Sequence, residues 1–122
     1  MFDAADRLLL IRRKNPPFQG QYALPGGFVE YGETTEQAAT RELREETNLI
    51  ATDLALIGVY SDPQRDPRRH VISIAYLVTV ASCDAAADDD ASAATFVADW
   101  REQALAFDHD KIVADARKLL HK

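Results

Sequence analysis

Gly27-Phe28-Val29-Glu30-Tyr31-Gly32-Glu33, then seven residues, then Arg41-Glu42-Leu43-Arg44-Glu45-Glu46-Thr47-Asn48-Leu49 is the stretch whose reading decides the fold. Between its halves, Thr34 is a helix N-cap type, with Gln37 three residues on as its capping-box partner. Glu33 and Glu36 suit the positive end of the helix dipole. The pattern predicts a helix to about Thr47, with Ala39, Leu43 and Ala38 turned inward. Asn48 stands where a left-handed C-terminal cap is needed, and asparagine is second only to glycine there. Glu42, Glu45 and Glu46 then fall at i, i+3 and i+4 on one face. Like charges at that spacing repel, and the helix dipole disfavours anions in the last turns. A solvated face with Arg41 and Arg44 as salt-bridge partners is the plain alternative. A hard cation held by oxygen ligands explains the cluster better, and Mg2+ or Mn2+ is the usual occupant.

Outward from this stretch the elements alternate. Arg7 to Arg13 reads as a buried strand with charged ends. Lys14 to Tyr22 is a loop, and Ala23 to Gly27 a short extended segment ending in the Pro25-Gly26-Gly27 turn. Phe28 to Tyr31 is a further candidate strand. Leu54 to Ser61 and His70 to Val80 read as strands, the second apolar enough to be central, with a charged loop from Asp62 to Arg69 between them. Ser82 to Ala94 is an Ala/Asp-rich loop, and Thr95 to Val97 a last strand. Asp110 to Leu120 is an amphipathic helix with Ile112, Val113, Ala116, Leu119 and Leu120 inward, Asp108 being its candidate cap. The sum is one α+β domain over residues 1–122, its acidic helix packed on a sheet.

Composition narrows the function. At 122 residues and 47% hydrophobic content, the chain suits one domain with a real core and not a disordered segment. No apolar run is long enough to span a bilayer, no signal peptide opens the chain, and the lone Cys83 has no disulfide partner. These features point to the cytoplasm and away from membranes. The formal charge of −6 argues against a broad nucleic-acid surface. It also means that a phosphorylated substrate meets repulsion, about 4 kcal/mol for two like charges about 4 Å apart near a protein surface. Cations are therefore needed for binding as well as for reaction.

Gly27 to Leu49 resembles the signature of the Nudix hydrolase family: Gly, five residues, Glu, seven residues, Arg-Glu-apolar-x-Glu-Glu-x-Gly-apolar. Every fixed position matches except the glycine replaced by Asn48. Arg12 to Phe18, Tyr60 to Pro63, Arg65 to Arg68 with His70 to Ser73, and Leu105 to Ile112 are similar to the bacterial and archaeal ADP-ribose pyrophosphatase branch. The resemblance implies an α/β/α sandwich with a mixed sheet. Only Met1 to Asp6 precede the Arg7 strand, so a first strand is expected to be short or missing.

What the resemblance implies chemically is Mg2+- or Mn2+-dependent hydrolysis of a nucleoside diphosphate linked to another group, foremost ADP-ribose to AMP and ribose 5-phosphate. Glu42, Glu45, Glu46 and the Gly26 carbonyl would hold the metal, with Arg41 orienting Glu45 and pairing with Glu33. The general base is left open between a helix glutamate and a loop acid, Asp89 or Asp90, with Asp90 preferred. Phe18, Tyr22, Tyr60 and Phe107 are candidates to stack a base, and Arg12, Arg65 and Arg69 to meet phosphates. His70 and His109 read as structural. A homodimer acting on a small nucleotide-type molecule is expected. The competing functions are a house-cleaning nucleoside triphosphate pyrophosphohydrolase and a non-catalytic ADP-ribose sensor.

Overall fold

Three consecutive leucines organise the molecule, whose computed structural model describes residues 1–80 and 94–121. Leu8, Leu9 and Leu10 are at most 1% exposed and form most of strand β1, Leu8–Arg12. Side chains alternate along a strand, so Leu8 and Leu10 share one face with Val97, Trp100, Leu105 and Val113. Leu9 takes the opposite face with Leu43 and Leu49. A strand covered on both sides reads as an unbroken apolar run, which is why no alternation is seen here. The covers are the two helices, α1 over Thr35–Thr47 and α2 over His109–Leu120. The fold is thus α+β, an α/β/α arrangement about β1.

Strand β2, Tyr22–Ala23, pairs antiparallel with one edge of β1. Strands β3, Ala51–Tyr60, and β4, Ser73–Val80, form a second antiparallel sheet of two strands. Strand β5, Ala94–Val97, runs antiparallel along the other edge of β1, from Leu8 opposite Val97 to Ile11 opposite Ala94. Among the described residues the one parallel pairing is the bridge between Tyr22 and Leu105. The residues before β1 do not make a full strand, but Phe2 bridges to Leu8 and the Leu9 amide donates to the Met1 carbonyl at 3.0 Å.

Helix α1 follows its local signals. Thr34 accepts from the Gln37 amide at 3.1 Å while Gln37 accepts from the Thr34 amide at 2.9 Å, closing the capping box. Asn48 is left-handed at φ 61° and returns its amide to the Arg44 carbonyl at 2.9 Å. Leu43 and Ala38 are buried, together with Thr47, whose hydroxyl donates to the Leu43 carbonyl and accepts the Leu49 amide.

Four expectations need correction. Phe28 to Tyr31 is not a strand; the Phe28 carbonyl accepts from Arg41 at 3.1 Å, and Phe28, Val29 and Tyr31 are exposed. Strand β4 begins at Ser73 and pairs only with β3 among the described residues, so it is not central. Its expected start is diverted because Arg65 takes the Val71 carbonyl. Leu120 is 44% exposed at the end of α2, where Ile112, Val113 and Ala116 are the buried positions. Asp108 makes no side-chain cap bond to α2 because its carboxylate is engaged by Arg65.

Candidate functional site

The last turns of α1 bring one cation among an excess of acids. Arg41 donates to both carboxylate oxygens of Glu33, at 2.7 and 3.0 Å. The same guanidinium reaches Glu42 at 2.7 Å and Glu45 at 3.2 Å, with Glu30 at 3.7 Å. These acids raise the Arg41 pKa still further, the Glu33 and Glu42 hydrogen bonds leading. Glu33 is held below the usual carboxylate range, chiefly by its hydrogen bonds to Arg41. One residue thus ties the Phe28–Glu33 loop to the helix and fixes two of the three clustered glutamates.

Glu42 and Glu46 turn to the inner side. Glu46 accepts from the Gly26 amide at 3.3 Å and hydrogen-bonds Glu42. Burial, the Glu42 hydrogen bond and the charges of Glu42 and Glu45 push the Glu46 carboxyl up to about 8, against the Gly26 amide. Two carboxylates in contact need a shared proton or a cation. Gly27 permits the approach, since a Cβ there would stand 2.5 Å from a Glu42 oxygen. Glu45 turns outward at 57% side-chain exposure, and among the described residues no three acids converge on one point. The donor set fits a hard divalent cation: two carboxyl groups in contact, Glu42 and Glu46, held against the Gly26–Gly27 turn.

Gly26, Gly27 and Glu42 line one end of a cavity of about 390 Å3 between the two sheets. That volume lies in the range of small-molecule sites. Arg13, Arg68, Phe107 and His109 line it at the α2 end. Phe18 packs edge-on against Phe107 with centroids 4.9 Å apart, both in left-handed backbone at φ 61° and 55°. Arg13 and Arg68 stand over the Phe107 ring at 4.8 and 5.5 Å. The Leu24 amide donates to His109 Nδ1 at 3.0 Å, joining this end to the glycine turn two residues on.

Of the remaining described candidates, Arg65 alone also lines that cavity. Arg12 lies 4.2 Å over the Tyr22 ring and donates to the Gly20 carbonyl at 2.8 Å, so the pair sits on β1 and β2 beside the cavity. Tyr60 is 7% exposed and donates to Asp115 at 2.8 Å; burial, then Asp115, raises its pKa, and it serves packing of β3 on α2. Arg65 has a side chain only 4% exposed and is saturated by Asp108, the Val71 carbonyl and Ser73 Oγ. Burial opposes the charge of Asp108, but Arg65 prevails and holds it below the usual range. Arg69 is exposed with its guanidinium 5.5 Å over Phe28. Asp89 and Asp90 lie outside the described residues, as does Cys83. Sequence reasoning passed over Arg13 and Arg68 and assigned His109 to structure. The signal for the arginines was their place beside Pro16-Pro17 and Pro67; His109 carried none.

A family model described as NUDIX domain matches residues 1–122. The chain is 54% identical over 110 residues to an ADP-ribose pyrophosphatase of Methanocaldococcus jannaschii, covering 90% of this chain and 65% of that protein. Shewanella oneidensis NrtR superposes with a TM-score of 0.84 at 31% identity, over 93% of this chain and 55% of that one. The NUDIX domain of the same NrtR complexed with ADP ribose gives 0.76 at 27% identity, over 93% and 77% of the two chains. The chain therefore spans somewhat less than two thirds of the archaeal relative and about half of full NrtR.

Proposed function

This chain belongs to the Nudix family, and from that premise we propose that it hydrolyses the diphosphate of a nucleoside diphosphate linked to another group, ADP-ribose giving AMP and ribose 5-phosphate. The observation that carries the reading is the Glu42–Glu46 contact against the Gly26–Gly27 turn at the end of a ligand-sized cavity. Support for ADP-ribose comes from the archaeal enzyme 54% identical to this chain and from the NrtR domain complexed with ADP ribose. The reading takes residues 1–122 as one domain.

Glu42, Glu46, Glu45 after a turn inward, and the Gly26 carbonyl are the residues that would hold Mg2+ or Mn2+. Such an ion supplies charge neutralisation for the diphosphate and acidifies an attacking water. Arg41 keeps Glu42 and Glu45 in place and, through Glu33, anchors the loop in front of them. Glu46, whose carboxyl is pushed up to about 8 by burial and the Glu42 hydrogen bond, would have to be ionised to serve as such a ligand. A helix glutamate or Asp90 takes the proton of the attacking water. At the far end the cavity offers cations and a histidine ring to the remainder of the substrate.

A panel of ADP-ribose, NADH, diadenosine polyphosphates and oxidised dGTP tests the choice. Turnover of ADP-ribose that stops with a chelator is expected; much faster turnover of triphosphates would favour the house-cleaning reading. Likeness to NrtR supports a ligand-binding role instead, which predicts saturable ADP-ribose binding without hydrolysis. The proposal includes a cytoplasmic homodimer. Leu56 and Val59, 54% and 58% exposed on β3, support a subunit contact that light scattering would read. Among the described residues no helix is long and apolar enough to cross a membrane.

A further inference from the structure

The two nitrogens of His109 face different tasks. A backbone amide can only donate, so the Leu24 N–H bond of 3.0 Å leaves Nδ1 without a proton. In a neutral ring the proton then resides on Nε2. Neutrality is favoured because burial, assisted by Arg65 and Arg13 and opposed by Asp108, brings the pKa down to about 4. Among the described residues His109 makes no other side-chain hydrogen bond, and its ring lines the cavity. Among the described residues, then, the N–H of this cavity-lining ring has no acceptor.

Its position is defined. Leu24 is two residues from Gly26, whose amide meets Glu46 at 3.3 Å. Two residues of chain span at most about 7 Å, so with a hydrogen bond at each end the imidazole lies within roughly 13 Å of the carboxylate cluster. A diphosphate and its sugar can reach across that distance. The neighbouring groups select the kind of ligand. Two guanidinium groups already stand over the Phe107 ring, and His109 lies 5.5 Å from its centroid. Arg13 donates to the Pro17 carbonyl at 2.7 Å and Arg68 pairs with Asp66 at 2.7 Å, so this end presents a mixed-charge rim and an N–H, not an open aromatic face for a base.

Resting on the hydrolase reading above, we propose that His109 Nε2–H, flanked by Arg13 and Arg68, binds an oxygen of the sugar-phosphate half of the substrate. His109 is then a specificity-determining contact whose other nitrogen sets the glycine turn. The nucleotide half lies on the opposite side of the scissile diphosphate.

Nitrogen-15 NMR of the whole chain tests this directly. A protonated Nε2 is expected, with a signal that moves on adding ribose 5-phosphate and holds still with AMP. A proton on Nδ1, or movement with AMP alone, overturns the proposal. His109→Asn retains an acceptor near Nδ1 and lacks the Nε2 donor. On whichever linked nucleoside diphosphate the wild type turns over best, KM should rise about tenfold, with kcat within about twofold. A folded His109→Asn with unaltered KM overturns the contact. Absence of hydrolysis by the wild type would strike the enzymatic reading alone, since the tautomer and the ribose 5-phosphate titration need no turnover.

Discussion

Arg41 and Arg65 are both guanidinium hubs, and they are built in opposite ways. Arg65 is enclosed, with one carboxylate, one carbonyl and one hydroxyl matching its donors. Among the described residues its one ion pair is with Asp108. Arg41 is 22% exposed and shares one positive charge among Glu30, Glu33, Glu42 and Glu45, with Glu46 behind them. A closed, balanced hub is architecture. An open hub with surplus negative charge is poised to take up something positive, and the difference lies in the accounting of charge rather than in the number of contacts.

The strongest way to break that contrast is Glu46→Gln. If the surplus exists for a cation, hydrolysis should fall about a thousandfold or more, roughly 4 kcal/mol in transition-state terms. Thermal melting without metal should stay level or rise, because a neutral amide needs no proton held between two carboxyl groups. A fall in melting temperature with activity kept would make the cluster structural. Arg65→Ala should do the reverse. It leaves the Asp108 carboxylate part-buried and unpaired, so urea melts should show a loss of about 3 kcal/mol. Adding Asp108→Asn should recover part of it, and full stability in the single variant would remove Arg65 from the architecture.

Proton competition sharpens the comparison. The Glu46 pKa is raised from 4.5 to about 8 in the folded state. Without a cation the folded chain binds more protons than the unfolded one across that window, so this group's contribution to stability falls as pH rises from about 4.5 to 8. A cation must displace that proton, so its affinity should climb up to about tenfold per pH unit towards pH 8 and then level. Isothermal titration at several pH values reads this, and a flat profile would refute it. The smallest effect belongs to neither hub: Leu120→Ser, at an exposed position, should change stability by no more than about 0.5 kcal/mol in the same urea melts.

The same division explains how much could be read from residues alone. Helix α1, its capping box and the left-handed Asn48 rest on neighbours within four positions, and the chain states them openly. So does the burial of β1, since three adjacent leucines cannot alternate. The contact of Glu42 with Glu46 was legible from their i, i+4 spacing, and the outward turn of Glu45 was not. What escaped depends on partners far along the chain. Asp108 has the residue type of a cap, yet Arg65, 43 positions away, claims it. Phe28 to Tyr31 has strand composition, but Arg41 takes its carbonyl. Tyr60 reads as a candidate to stack a base until Asp115 is brought 2.8 Å from its hydroxyl. His109 carries no local mark of its cavity, because the amide that fixes its tautomer comes from Leu24, 85 residues earlier.

The twin glycines of the turn are not equivalent. Around a Cβ placed on Gly26 nothing lies within 4 Å, whereas the same atom on Gly27 would collide with the Glu42 carboxyl group. Natural drift and laboratory libraries alike should therefore find the first position negotiable and the second shut. A lone methyl group is enough to separate a backbone from the acid it was shaped to shelter.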